Sequence, residues 1–498
     1  MEHLTFLFTL FSSIILMIFI PIICISLHSK TKKNLPPSPW KLPIIGNIHQ
    51  LGANPHLSLQ ALSRKYGPLM HLHLGSVPTL VVSSANAAHE IMKTHDSLFA
   101  SRPNLTMGNI LLYGCKDIAF SPYGEYWRQL KSLVTIHLLS NAQVKSFQKL
   151  RENEIGRMIS VLEESCGSCV DISALFESVT ENIIYIATLG IPSDGPELKR
   201  LAKNFFDMFT YFSVGTYVPW LSWVDRLTGL VGRAQAVAKE FDEFLDGVIE
   251  EHVTKKGEQD AKTNEGKDFI DILLNVQKDG TTGFAVENDT VKAVILDVIL
   301  GGKDTASKSL EWAMSELVRN TRVMEKLQHE VTEIAQGRSV IVEQDLEKMH
   351  YLKAVIKENF RLHIPAPLLI PRILTKDVKL MGYDIKEGTQ VIVNAWAIGR
   401  DPTLWEEPEE FRPERFLKSP ISYKGLHFEL LPFGAGRRAC PGIQFSTPIM
   451  ELALANIVYK FDMGLPNGVK HEDMDMSGKF GLILHKRSPL LVTPSLRF

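Results

Sequence analysis

One thiol in this chain is delivered by a glycine-rich loop. The loop reads Pro432-Phe433-Gly434-Ala435-Gly436-Arg437-Arg438-Ala439-Cys440-Pro441-Gly442. Its glycines let the backbone approach a flat ligand and adopt positive φ. A cysteine held there suits the thiolate that ligates a haem iron and pushes electron density onto it. Arg438, two residues before the thiol, carries the planar fork that pairs with a propionate carboxylate. Two readings compete. A lone loop cysteine is ordinarily a small buried residue. Gly434-x-Gly436-x-x-Ala439 also matches a loose dinucleotide fingerprint, but that needs a preceding strand, a helix opening at the turn and a βαβ unit. Here two arginines and Pro441 crowd the turn, and the chain ends at Phe498.

A second chemical pair is Asp304-Thr305, within Gly301-Gly302-Lys303-Asp304-Thr305. Val291 to Asn320 reads as one long helix. Asn288 or Asp289 is placed to cap it, and Val294, Val298, Leu310, Ala313 and Leu317 supply apolar positions. Adjacent glycines inside a helix cost about 1 kcal/mol each against alanine, which suggests a close approach to the backbone. The competing reading is that they split the helix in two. Activating dioxygen at an iron requires protons delivered locally while bulk water is kept out. An acid beside an alcohol can relay them, a positioned contribution of about 10²–10⁴-fold. Lys303 points about 160° away from Thr305 around the helix, so it is expected off that face.

Glu358-x-x-Arg361 lies on a helical stretch from Leu352 to Leu362, so both side chains share one face. Further on comes Phe411-Arg412-Pro413-Glu414-Arg415-Phe416. An exposed pair of this kind is worth only about 0.2–0.5 kcal/mol.

Phe433-x-x-Gly436-x-Arg438-x-Cys440-x-Gly442 resembles the haem-binding signature of the cytochrome P-450 monooxygenases, and three further motifs follow the same order. The resemblance runs from the N-terminus to about Leu491. It implies haem b ligated by Cys440, with Phe433, Gly436, Arg438 and Gly442 shaping the loop. It makes Gly301–Thr305 the family's [AG]-G-x-[DE]-T motif, with Asp304 and Thr305 catalytic. Ala306 stands where relatives often carry a second hydroxyl. It joins Glu358, Arg361 and Arg415 in a buried structural triad. It also implies that Arg102, Trp127, Lys131 and Arg372 meet the propionates, Lys131 standing where arginine is commoner. The implied substrate pocket takes in Met107, Ile110, Leu111, Phe209, Val298, Gly301, Ala366, Leu368, Leu369 and Phe480. These are mostly apolar and suit a lipophilic small molecule. For any one of them, plain core packing is the rival reading.

The same resemblance, closest to plant A-type microsomal enzymes, implies O2 as co-substrate and NADPH electrons through NADPH–cytochrome P-450 reductase, with cytochrome b5 as a further donor. The expected reaction is hydroxylation or a related oxidation of a plant specialised metabolite. A terpenoid or indole alkaloid is favoured over a coumarin or other phenylpropanoid. Rearrangement or oxidative cyclisation is the alternative outcome. A haem sensor without catalysis, a peroxide-rearranging enzyme and a nucleotide-binding oxidoreductase are the rival classes.

The elements that must position these residues follow from the rest of the chain. Its 498 residues carry a formal net charge of −2 and no basic stripe, which gives nucleic acid no footprint. Leu4 to Leu27 is uncharged and long enough to span a bilayer. Lys30, Lys32 and Lys33 follow it, and the positive-inside rule keeps that flank cytosolic. The expectation is a single-pass anchor in the endoplasmic reticulum, with the catalytic domain facing the cytosol. Residues 1–28 form the anchor helix, and 29–46 a basic, proline-rich hinge stiffened by Pro36, Pro37, Pro39 and Pro43. Residues 47–498 form one haem-binding catalytic domain. The polar run Thr254–Lys267 reads as a surface loop, and Cys166 and Cys169 as reduced thiols. The expected fold is mainly α with small β-sheets. It is the cytochrome P-450 fold, a triangular α+β prism behind the transmembrane helix.

Overall fold

The computed structural model describes residues 34–193, 195–258, 267–280, 283–481 and 483–498. The expected anchor, the lysines behind it and most of the Thr254–Lys267 run lie outside the described residues. Among the described residues, no helix is long and apolar enough to cross a membrane.

The chain is mostly helical. The longer helices are α1 (Pro55–Tyr66), α2 (Glu125–Leu133), α3 (Gln148–Glu164), α4 (Ile172–Leu189), α5 (Pro196–Thr210) and α6 (Leu230–Glu258). They continue with α7 (Phe269–Asp279), α8 (Asn288–Arg319), α9 (Thr321–Ala335), α10 (His350–Leu362) and α11 (Ile443–Lys460). A four-stranded sheet packs beside them. Its strands are β1 (Leu69–Leu74), β2 (Val77–Val82), β3 (Arg372–Ile373) and β4 (Gln390–Val393), in the order β1-β2-β4-β3. β1 and β2 form a hairpin, β2 runs parallel to β4 from Thr79↔Gln390, and β3 closes antiparallel on β4. Three smaller sheets of two or three strands complete the β structure.

α8 stays helical through both glycines, and buried Val291, Val294, Ile295 and Leu296 pin its first half into the main core. The glycines serve different neighbours. A Cβ on Gly302 would lie 2.4 Å from Ile184 Cδ1 of α4, whereas one on Gly301 meets nothing within 4 Å. Gly302 therefore lets two helices pack closely, and Gly301 leaves space. The cap differs from expectation. Glu287 occupies the N-cap position, with no side-chain cap bond. Asn288 Oδ1 accepts from Gln277 Nε2 instead (2.9 Å), and Asp289 pairs with Lys116 (3.0 Å).

α4 begins where Asp171 Oδ1 accepts from Ala174 N (3.0 Å) and ends at Gly190, which takes φ +68°. That is a side-chain cap followed by a left-handed stop. α10 starts where Glu330 of α9 accepts from the amides of Tyr351 (2.7 Å) and Leu352 (2.9 Å). These contacts satisfy donors that every helix N-terminus leaves open.

Candidate active site

The Pro432–Gly442 loop runs into α11, with Gly442 at the helix N-cap. Cys440 N donates to Phe433 O (2.9 Å), closing the loop on itself. Gly436 takes φ +70°, and a Cβ there would lie 2.2 Å from Met92 O. Both its conformation and its neighbours admit only glycine. Asp96 accepts from Arg437 N (2.9 Å), and Arg372 Nη2 donates to Ala435 O (2.8 Å). The Phe433 ring meets Phe360 of α10 edge-on at 5.1 Å.

Cys440 opens onto a cavity of about 320 Å³. Phe433, Phe445 and Gly442 line it near the thiol, and Val298, Gly301, Thr305 and Ala306 of α8 contribute to its lining too. Burial pushes the Cys440 thiol up, and this is opposed by the Gly442 amide and the Lys131 ammonium. Gly442 N lies 3.3 Å from Sγ. A cation or metal at the thiol adds to that opposition and favours the thiolate.

Basic side chains converge on the same cavity. Arg102, Lys131, Arg372 and Arg438 line it, with Trp127. Arg102 and Arg438 are both held below the usual guanidinium range, chiefly by burial and then by other arginines. Arg438 stacks its guanidinium 4.2 Å from the Trp127 ring centroid. Lys131 donates to Ala439 O (3.0 Å), and Arg372 pairs with Asp96 (3.2 Å).

Behind the loop, the structure brings Glu358, Arg361 and Arg415 together. Arg361 grips the Glu358 carboxylate through Nε (2.7 Å) and Nη2 (2.8 Å), and Arg415 Nε reaches it at 3.0 Å. Arg361 also donates to the carbonyls of Gly399 (2.7 Å), Pro408 (2.6 Å) and Glu410 (2.9 Å). The Glu358 and Arg361 side chains are fully buried. Asn359 Nδ2 donates to Ser309 O (2.9 Å), so α10 ties this network to α8 as well as to the loop.

The two residues of the expected proton relay part company. Thr305 lines the cavity and donates to Gly301 O (2.6 Å). Asp304 points away from the cavity, into a cluster with Lys303, Lys308, Glu177 and Glu181. Burial raises its pKa, and the two lysines pull it back. Lys303 points away from the cavity and pairs with Glu181 of α4 (2.8 Å).

Of the expected pocket residues, Val298, Gly301, Ala366 and Leu369 line the cavity. The others pack elsewhere. Met107 and Leu111 are buried in the main core, with Ile110 against it. Phe209 stacks near Phe120 (5.8 Å), Phe480 stacks on His56 (5.4 Å), and Leu368 packs against the sheet cluster. The walls instead include Ile118, Ala119, Ile184 and Asp297. Asp297 had one signal in sequence. It is the lone acid in VKAVILDVIL, and it steps by four to Gly301 and Thr305, which puts the three on one helix face.

The cytochrome P450 family profile matches residues 36–492. The cytochrome P450 Tp4149 of Tanacetum parthenium is 65% identical over 494 residues, covering 99% of this chain and 98% of that protein. A 3-beta-hydroxylase of the same plant is 51% identical and covers 99% of both. Among solved structures, a zebra fish cytochrome P450 with abiraterone is 27% identical. It aligns with a TM-score of 0.76 over 90% of this chain and 100% of its own.

Proposed function

Since this chain belongs to the cytochrome P450 family, we propose that it hydroxylates a lipophilic plant specialised metabolite, a terpenoid or an indole alkaloid. Membership makes it a monooxygenase that uses haem b, O2 and NAD(P)H electrons through a redox partner. The observation that carries the reading is one cavity with Cys440 at one side, three buried arginines at its rim and the Gly301–Thr305 face of α8 in its wall.

The residues present fit a haem. Arg102, Arg372 and Arg438 crowd like charges into a buried space. Among the described residues, only Arg372 of the three has a carboxylate in direct salt-bridge contact, Asp96 (3.2 Å), so positive charge is in excess there, which is costly when buried. Two propionates would balance them. The aromatic and glycine lining beside the thiol suits a flat, apolar macrocycle. When bound, haem supplies the iron at which dioxygen is reduced and one oxygen atom passes to substrate.

The chain's own residues do the rest. Cys440 would hold the iron, and the Gly442 amide and Lys131 would stabilise its thiolate. Arg102, Trp127, Lys131, Arg372 and Arg438, all lining the cavity, would orient the macrocycle. Gly301 leaves open the space over which substrate lies, and Val298, Ala366 and Leu369 exclude water. The Thr305 hydroxyl, already bonded to Gly301 O, is placed to hold and pass a proton at the cavity. Asp304 reaches the same helix turn from the adjacent face, with protons drawn from its lysine and glutamate cluster. Electrons are assigned to NADPH–cytochrome P-450 reductase, with cytochrome b5 as an accessory donor. Leu4–Leu27 is assigned as the anchor in the endoplasmic reticulum membrane, ahead of the 29–46 hinge and a single catalytic unit from residue 47.

The similarity to a 3-beta-hydroxylase supports hydroxylation as the outcome. The test is turnover of terpenoid, indole-alkaloid and coumarin panels with NADPH and reductase, read by mass spectrometry. Gain of one oxygen on a terpenoid or alkaloid is expected. Selective turnover of coumarins, or products of rearrangement or ring closure without that gain, would overturn the substrate assignment.

A further inference from the structure

Two carboxyl groups, Asp117 fully buried and Asp297 partly so, meet at the cavity wall, and no motif contains either. Asp297 Oδ2 accepts from two consecutive amides, Ile118 N (2.5 Å) and Ala119 N (3.2 Å). Asp117, fully buried, spends Oδ2 on Phe120 N (2.8 Å). Its Oδ1 has no hydrogen-bond partner. The two carboxyl groups stand within hydrogen-bonding reach of each other, and burial pushes both upward. A buried ionised oxygen with no donor is costly. Two adjacent buried carboxylates also repel, so one strongly favours its protonated form. A single proton between them answers both difficulties. Arg102, Arg438, Cys115 and Tyr126 face this pair, and the two arginines neutralise the one charge that remains.

The peptides held by Asp297 do a second job on their other side. Ile118 O accepts from Trp127 Nε1 (3.0 Å) and Arg438 Nη1 (2.9 Å). Ala119 O accepts from Arg102 Nε (2.7 Å), and Ser121 O from Arg438 Nη2 (2.5 Å). Segment 117–121 is therefore an arch with its amides on α8 and its carbonyls on the cofactor-side cations. Ile118 and Ala119 also line the cavity.

We propose that Asp117 and Asp297 act as one carboxyl pair sharing a proton, and that Asp297 is a positioning residue. It seats the 117–121 arch, and through the arch it aims Arg102, Trp127 and Arg438 while fixing the distal wall. The inference rests on the haem reading only for what those cations face. The arch itself is testable whatever Cys440 ligates.

The experiment uses the full-length, haem-loaded protein and compares wild type with Asp297→Ala, Asp297→Asn and Asp117→Asn. Hydrogen exchange over residues 116–122 is read by mass spectrometry, with residues 350–362 as internal control. Infrared difference spectra are read for a protonated carboxyl band. An asparagine at 297 keeps an acceptor for both amides and donates to Asp117 in place of the proton. Exchange should accelerate about tenfold or more over the arch in Asp297→Ala, as in a locally opened segment, and stay within about twofold in both asparagine variants. Haem content should fall in Asp297→Ala alone, and the carboxyl band should vanish in both asparagine variants. An unchanged arch in Asp297→Ala would overturn the positioning role. If that variant does not fold, fast arch exchange in Asp117→Asn overturns it instead. A wild-type spectrum without the band would overturn the shared proton.

Discussion

The two sides of the cavity are built by opposite strategies. On the thiol side, local sequence and tertiary contacts agree. The loop closes on itself through Cys440 N and Phe433 O, Gly436 admits no side chain, and the Glu358 carboxylate holds four donors from Arg361, Arg415 and the Arg412 amide. On the α8 side, position is set by long-range contacts between charged groups and by an absent side chain. Lys303 reaches Glu181, Asp297 reaches the 117–121 arch, and Gly302 admits Ile184. The first side is over-determined and suits a ligand whose chemistry must not vary. The second can change partner by partner, which suits a wall that selects substrate.

Removing one member of the over-determined side should therefore cost most. Glu358→Ala leaves the buried Arg361 guanidinium without its counter-charge, an expected loss of about 3–5 kcal/mol. Urea denaturation of the holoprotein checks it, and a loss below about 1 kcal/mol, typical of an exposed pair, would erase the contrast between the two sides.

Thr305→Ala touches only the α8 side. Product formed per NADPH should fall about a hundredfold, the low end of a positioned proton donor's contribution, with thermal stability unchanged. Parallel assays of NADPH, peroxide and product read this out, and retained coupling would remove Thr305 from the relay.

Gly302→Val should destabilise by about 1–3 kcal/mol through overpacking against Ile184, and Ile184→Ala on the same chain should recover part of it. Gly301→Ala, with open space around its Cβ, should raise stability by about 1 kcal/mol and change ligand affinity. Equal effects at both glycines would mean that the helix simply resists any side chain there.

The smallest effect lies at the α6–α7 join, where His252 Nε2 pairs with Asp268 Oδ2 (2.8 Å). The hydrogen bond to Asp268 raises the His252 pKa above its ordinary 6.5. The folded protein therefore binds that proton more tightly than the unfolded chain. The increment is fully present below pH 6.5 and is lost as pH climbs through the raised folded value. Stability curves of wild type and His252→Gln should converge upward of pH 6.5, and parallel curves would contradict the pairing.

Legibility in the sequence follows the same division. The loop, the Glu358–Arg361 spacing and the unbroken α8 were readable because neighbours in sequence do the work. Arg415 was readable through its Pro-Glu-Arg-Phe segment. What sequence did not display depends on residues far apart. Asp117 and Asp297 lie far apart in the chain, one on the 117–121 arch and one on α8, and nothing local in Phe480 or Phe209 says that each spends its ring on a neighbour. The Asp304-Thr305 pair was legible as types, and the angle of about 100° between adjacent helix residues shows that the two diverge, but which of them meets the cavity is decided by packing between distant segments.

The most direct test of the account is the carbon monoxide difference spectrum of the dithionite-reduced protein in membranes, wild type beside Cys440→Ser. A strongly red-shifted Soret band in the wild type, absent from the variant, is the predicted result and marks thiolate-ligated haem at Cys440. A haem-replete wild-type protein lacking that band, or a variant retaining it, would contradict the central claim.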